Sequence, residues 1–258
     1  MTVLLLKLLL APLLVVGSSL AGRRWGPNVA GVLVGLPIVA GPILFISYLQ
    51  HGAGFAADAA RSSLFGLVSL AAFAVVFARA ARRLAWVATL GATWIVVLAI
   101  DAALSPVRVS TLVALAFTLV ATVAAMALMP KTAPGRPTGP AGPVTPSWDL
   151  PARAAATGLL VLTVTTASSA LGPRWTGILA PFPIATSVVA AFARAQAGPA
   201  VTARTLAGVL TGLFGFALFC VTLTVILRPL GGPAFAVGAV VTVAVQLLIG
   251  RARRRLRT

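Results

Sequence analysis

The stretch Gly31-Val32-Leu33-Val34-Gly35-Leu36-Pro37-Ile38 recurs as Gly177-Ile178-Leu179-Ala180-Pro181-Phe182-Pro183-Ile184. Each copy opens on glycine, carries proline at its seventh place and contains no charged residue. Each also lies inside an apolar run long enough to cross a bilayer, which takes about 20 residues. Proline removes one backbone donor and crowds the carbonyl of the preceding turn, so a helix through either copy is interrupted midway. Gly35, Gly41 and Pro42 flank the first interruption, and Pro181, Thr186 and Ser187 surround the second. A matching pair of Gly/Pro-interrupted spans is the sequence pointer to a substrate site near the bilayer midplane.

Outward from these copies the likeness continues. Gly17-Ser-Ser-Leu-Ala-Gly-Arg-Arg-Trp25 aligns without gaps on Ala167-Ser-Ser-Ala-Leu-Gly-Pro-Arg-Trp175, with five of nine positions identical. A change of offset by four residues then brings Gly31 onto Gly177 and Pro37 onto Pro183; further on Gly54 pairs with Gly198 and Arg61 with Arg204, at offsets two and three residues shorter again. We count nine apolar runs, at 3–21, 28–49, 62–78, 84–100, 109–129, 154–172, 176–193, 205–227 and 231–250. Hydrocarbon offers no water to satisfy backbone amides, so each run should be helical, β-branched residues notwithstanding. The repeat pairs run one with run six, and so on to four with nine. Corresponding runs are five crossings apart, and an odd number turns the second unit upside down relative to the first.

The composition agrees with a membrane protein. Sixty per cent of the 258 residues are apolar, 9% are charged, and mean hydropathy is +1.07. A soluble domain is about 45–50% apolar and about 25% charged, so this chain lacks the polar surface to face water. The expected fold is an all-α integral membrane protein of about nine transmembrane helices. It divides into a first four-helix repeat (1–101), a connecting helix (102–129), a Pro-rich linker (130–152), a second repeat (153–250) and a basic tail (251–258). Prolines 130, 134, 137, 140, 143, 146 and 151 favour extended polyproline conformation in the linker. The first run resembles a signal peptide ending at Ser19-Leu20-Ala21, but the copy of its end near Ser168-Ser169 favours a retained helix.

The charges sort by side. Lys7, Arg61, Arg108, Arg174 and Arg228 fall on one face of the membrane, and the other fifteen Lys and Arg residues on the opposite face. Lys and Arg accumulate in cytoplasmic loops, which predicts an external N-terminus and a cytoplasmic linker and tail. The tail, with Arg251, Arg253, Arg254, Arg255 and Arg257, suits anionic lipid.

The same inventory excludes much chemistry. One His, one Cys and three Asp provide too few ligands for a His-rich or dinuclear metal site, and Asp58, Asp101 and Asp149 are scattered rather than paired for acid–base work. A single cysteine cannot close a disulfide within the chain. Net charge +17 would suggest nucleic acid in a soluble protein, but arginines between apolar runs anchor to headgroups instead. The expectation is a non-enzyme without cofactor or metal, whose partners are the lipid bilayer and an unidentified small molecule, not nucleic acid.

Arg24-Trp25 through Pro37, with the following Gly41-Pro42 and the turn Gly52-Ala-Gly-Phe-Ala-Ala-Asp-Ala-Ala-Arg61, resembles the GlpM-type small membrane proteins. The chain looks like two such four-helix units fused around an extra helix, and is also similar to the fused-unit plan of drug/metabolite transporters. The resemblance covers about 200 residues and implies a bacterial inner-membrane protein.

The residues assigned to a substrate pathway are Ser18, Ser19, Gly35 and Pro37 in the first half, and Ser168, Ser169, Pro181, Pro183, Thr186 and Ser187 in the second. Packing by small hydroxyl residues is the competing role for the serine pairs. Asp58 and Arg61, three apart, suit a local ion pair; Asp101 reads as a turn residue before Ser105-Pro106. Arg24 and Arg174, beside Trp25 and Trp175, suit equivalent interfacial anchors. His51 is placed in an outer loop and Cys220 in a packed helix. These features predict alternating-access transport of a small metabolite, drug or lipid-linked group; the competing reading is an accessory or assembly protein of an envelope complex.

Overall fold

The computed structural model describes residues 2–130, 148–169 and 172–255, and every regular element among them is helical. In chain order these are α1 (Thr2–Trp25), α2 (Pro27–Val34), α3 (Ala40–Ala80), α4 (Trp86–Leu104), α5 (Thr111–Leu128), α6 (Asp149–Ser169), α7 (Gly172–Leu179), α8 (Ile184–Leu230) and α9 (Pro233–Arg255). The linker lies outside the described residues except at its two ends. Among the described residues five stretches are long and apolar enough to cross a membrane: α3, α4, α5, Trp175–Leu230 and Pro233–Ala252. The chain is therefore a membrane-embedded helical protein.

Five stretches stand where nine runs were counted partly because two of them absorb several runs. α3 has 41 residues and the stretch Trp175–Leu230 has 56, each far more than the roughly 20 that one crossing requires. Each is broken at a glycine: Gly52 has φ 84° and ψ 177°, and Gly198 has φ 82° and ψ 179°. That corner of backbone space is almost closed to residues with a Cβ. Residues around both glycines are exposed, so each break is a corner at the surface, and Pro199 then starts the next helix with the φ that proline fixes. The corner glycine matching Gly198 is thus Gly52. Gly54, its expected counterpart, lies inside the helix beyond.

The packing repeats from one half to the other. α2 lies on α8 and α7 on α3, while α3 and α8 pack on each other at the centre. α1 pairs with α6, α4 covers α3, α9 covers α8, and α5 fills the seam along α3 and α8. The contacts match in detail. A Cβ on Gly31 would strike the carbonyl of Thr205, and one on Gly177 the carbonyl of Ala59. A Cβ on Gly66 would strike the carbonyl of Ile178, and one on Gly212 that of Val32. The step along the sequence is the same from Gly31 to Gly177, Ala59 to Thr205, Gly66 to Gly212 and Val32 to Ile178. In an apolar solvent helices associate through close contact of small residues, and here backbones meet with no side chain between them.

That single step corrects the sequence alignment upstream. Trp25 is the last residue of α1, whereas Trp175 lies inside α7, so these tryptophans and Arg24 and Arg174 are not equivalent positions. Carried backward, the step sets Gly26-Pro27 against Gly172-Pro173 and needs no change of offset. Two Ser-Ser pairs in apolar sequence had suggested a register one helical turn away.

Polar contacts gather the arginines at two ends. At one, Arg23 reaches Asp149, Arg79 donates to the Leu128 carbonyl, and Arg194 donates to the carbonyls of Ala81 and Leu84. At the other, Arg228 meets Asp58 at 3.3 Å and Arg61 shares a cleft with Arg108. The 53–80 helix runs between the two ends. Asp58 therefore pairs with Arg228 across the halves, not with Arg61 along its own helix.

Candidate functional site

The two interruptions are built alike and face each other. Between α2 and α3, the Leu36 amide bonds the Leu33 carbonyl at 3.1 Å and Ile38 bonds Leu36 at 2.7 Å. Between α7 and α8, Phe182 bonds Leu179 at 3.0 Å and Ile184 bonds Phe182 at 2.6 Å. The short second bond closes a three-residue turn with proline at its centre, and Pro183, at φ −72° and ψ 49°, has the backbone of an inverse γ-turn. The Pro37 and Pro183 carbonyls then accept from Gly41 and Ser187, both at 2.7 Å, and start the next helices. The carbonyls one turn before each proline, Leu33 and Leu179, lose their helical donor to it and accept from Leu36 and Phe182 instead.

Between the interruptions lies a cavity of about 20 Å³ lined by Leu36, Ile38 and Leu70 from one half and Pro181, Phe182 and Phe216 from the other. It has room for about one water molecule. Thr186, 3% exposed, lines it too; Gly35 is buried beside it against the Val209 backbone, and Pro37 and Pro183 flank it. Ser187 is buried and accepts from Trp94 Nε1 at 2.9 Å, while the Trp94 ring meets Phe182 edge-on at 5.5 Å. α4 thereby braces the second interruption through an aromatic side chain.

Ser18 and Ser19 do not join this site. Both hydroxyls donate to the Val15 carbonyl of their own helix at 2.8 Å, a local satisfaction that leaves them packing residues. The side chains of Ser168, Ser169 and Arg174 lie outside the described residues. Cys220 is fully buried in α8, and His51 is exposed just before the Gly52 corner, stacked on Phe55 at 4.4 Å.

Asp101 overturns its reading as a turn residue. It lies within α4, 1% exposed, and the Ser69 hydroxyl of α3 donates to its Oδ1. Its Oδ2 is buried without a partner, and no cation pairs with it among the described residues. No signal in the sequence pairs Asp101 with Ser69, thirty-two residues earlier on another helix.

Asp149 heads a second polar cluster that the sequence also concealed. Its carboxylate, with no exposed side-chain surface, receives Arg23 at 2.7 Å, Arg153 at 3.0 Å and Gln196 at 2.7 Å. The Arg153 guanidinium lies 4.6 Å from the centre of the Phe192 ring. Burial pushes the Asp149 carboxyl up, but the Gln196 hydrogen bond and the Arg153 charge outweigh it and hold the group below the usual carboxylate range. The cluster ties α1, α6 and α8 together at one end of the molecule. No family model, curated protein or solved structure matches this chain.

Proposed function

We propose that the protein is a multi-pass carrier of the bacterial inner membrane, not an enzyme, that moves a small metabolite, drug or lipid-linked group by alternating access. In this reading eight of nine spans form two inverted four-helix units, α5 is the extra span that connects them, the N-terminus is external and the basic tail cytoplasmic. It keeps the GlpM-type resemblance as the source of the duplicated unit. One observation carries it: two identically hydrogen-bonded interruptions, one from each half, enclose a common cavity at the centre of the packed helices. Interrupted helices of corresponding position are where carriers built from inverted repeats bind substrate. A cavity of about 20 Å³ corresponds to a closed state, and substrate entry requires the halves to part there. Asp101, as a carboxylate inside an apolar helix pair, is the group we assign to proton exchange during that cycle.

Two experiments test the plan separately. With Cys220 replaced, single cysteines at Gly54 and Ala200, exposed and related by the common step, should react with an impermeant maleimide from opposite sides of the membrane. Labelling from one side sinks the inverted arrangement. A panel of small solutes should raise the melting temperature of the purified protein, and the shift should shrink when Pro37→Ala and Pro183→Ala are combined. No shift with any solute, together with a stoichiometric partner retained in mild detergent, would establish the accessory role instead.

A further inference from the structure

At the end of the molecule where arginines are fewest, α3, the loop after α4 and the start of α5 enclose a cleft of about 410 Å³. Its lining is Arg61, Ser62, Phe65 and residues 107–110, which include Arg108 and Ser110. That volume is within the range of small-molecule sites. Both arginines are exposed at its mouth, and neither pairs with a carboxylate among the described residues. Asp58, one turn before Arg61, is engaged by Arg228.

The interior adds a second, independent sign. Ser62 is only 8% exposed and lines the cleft, yet its hydroxyl makes no hydrogen bond among the described residues. Its neighbour Ser63, by contrast, donates to the carbonyls of Ala59 and Gly177. The Ser62 hydroxyl itself keeps access to the cleft and is free to donate to a ligand there. The cleft also borders the N-terminus of α5, an 18-residue helix whose Ser110 cap accepts from Val113. Helix N-termini carry partial positive charge and favour anions.

Two guanidiniums without a carboxylate partner, a hydroxyl free to donate into the cleft and a helix N-terminus converge from three segments of chain. Guanidinium forks match carboxylate and phosphate oxygens in geometry as well as charge. Phe65, Val107 and Val109 complete the lining with apolar surface. We propose that this cleft binds an oxyanion, phosphate or carboxylate, carried on an apolar body, with Arg61 and Arg108 clamping the anion, Ser62 donating from below and Phe65 taking the apolar part. A membrane phospholipid and a free organic anion both have this chemistry. The inference stands apart from transport, because it asks only for binding.

The test uses the full chain in nanodiscs of neutral phosphatidylcholine, with phenyl phosphate as the soluble probe and calorimetry as the readout. Binding is expected, weakening as salt rises because exposed charges are screened. Arg61→Gln and Arg108→Gln should each weaken it about tenfold, as loss of one charge-assisted hydrogen bond implies. Arg24→Gln, at an exposed position at the other end of the molecule, should leave affinity unchanged. In a second arm, native mass spectrometry of protein released from mixed discs should find phosphatidylglycerol retained over phosphatidylcholine if the source is lipid, and equal retention if it is a free anion. Heat released in the first arm without lipid preference assigns a soluble ligand, and lipid preference without heat assigns a lipid. Neither signal, or signals that survive the double Arg61→Gln/Arg108→Gln variant with its melting temperature intact, overturns the site.

Discussion

The two halves share a frame but not a chemistry. Gly31 against Thr205 mirrors Gly177 against Ala59, and both corners turn on a glycine with nearly the same φ and ψ. Yet where α4 brings Asp101 to Ser69, α9 brings Gln246 to the carbonyls of Thr211 and Gly212, and Thr242 to that of Gly215. Ser69 and Gly215 stand equally far beyond their corner glycines. One half thus holds a titratable group at the contact between its long helix and its last helix, and the other a neutral amide satisfied by backbone. Asp149 likewise has no acidic counterpart in α1, where the common step sets it against Val3. Backbone-to-backbone contact tolerates almost no drift, whereas a side chain at a helix contact can change as long as its polar atoms are met.

The largest effect should come from the shared frame. Gly31→Leu and Gly177→Leu each push a side chain into a backbone carbonyl that cannot swing aside, and each should cost more than about 3 kcal/mol, at the upper end of overpacking penalties. Yield of monodisperse protein and its melting temperature measure this. Tolerance at one site and collapse at the other would break the equivalence of the halves.

Next in size is the Asp149 cluster, which joins α1 of one half to α6 and α8 of the other. Asp149→Ala leaves Arg153 without its partner and should cost about 3 kcal/mol, the scale for breaking a buried pair. The pH dependence has a definite sign. Because folding lowers the Asp149 value, its stabilisation is complete above the ordinary carboxylate range and disappears as pH falls through the folded value. Melting temperature followed downward in pH should drop more steeply for the unmodified protein than for Asp149→Asn; parallel curves would remove the cluster from the account of stability.

The corners give the finest discrimination. Gly52→Ala and Gly198→Ala should each cost about 2 kcal/mol from backbone strain. Gly54→Ala, in open space within a helix, should instead gain about 0.5–1 kcal/mol. A loss at Gly54 comparable to that at Gly52 would restore the pairing of Gly54 with Gly198.

The reading from sequence went furthest where local chemistry suffices. Interruptions near Pro37 and Pro183 were legible as a Gly-to-Pro pattern repeated in two apolar runs, whereas Pro12 and Pro229, outside that pattern, lie within α1 and α8 without ending them. The register before Gly31 misled, because Ser, Gly, Ala and Leu recur so often in membrane helices that two alignments a turn apart look equally good. Gly52 and Gly54 are indistinguishable as letters; only the bend of the chain tells which one needs positive φ. The serine pairs looked like pathway residues, and the Val15 carbonyl explains Ser18 and Ser19 without a pathway.

The amino-acid order alone determined that this chain belongs in a membrane and that two helices break near Pro37 and Pro183, since transfer from water and proline's missing donor act residue by residue. Tertiary structure alone decided that Asp101 meets Ser69, that three side chains converge on Asp149, and that Arg61, Ser62 and Arg108 share a cleft. Those encounters join residues on separate helices, and their partners are chosen by how backbones without intervening side chains can pack.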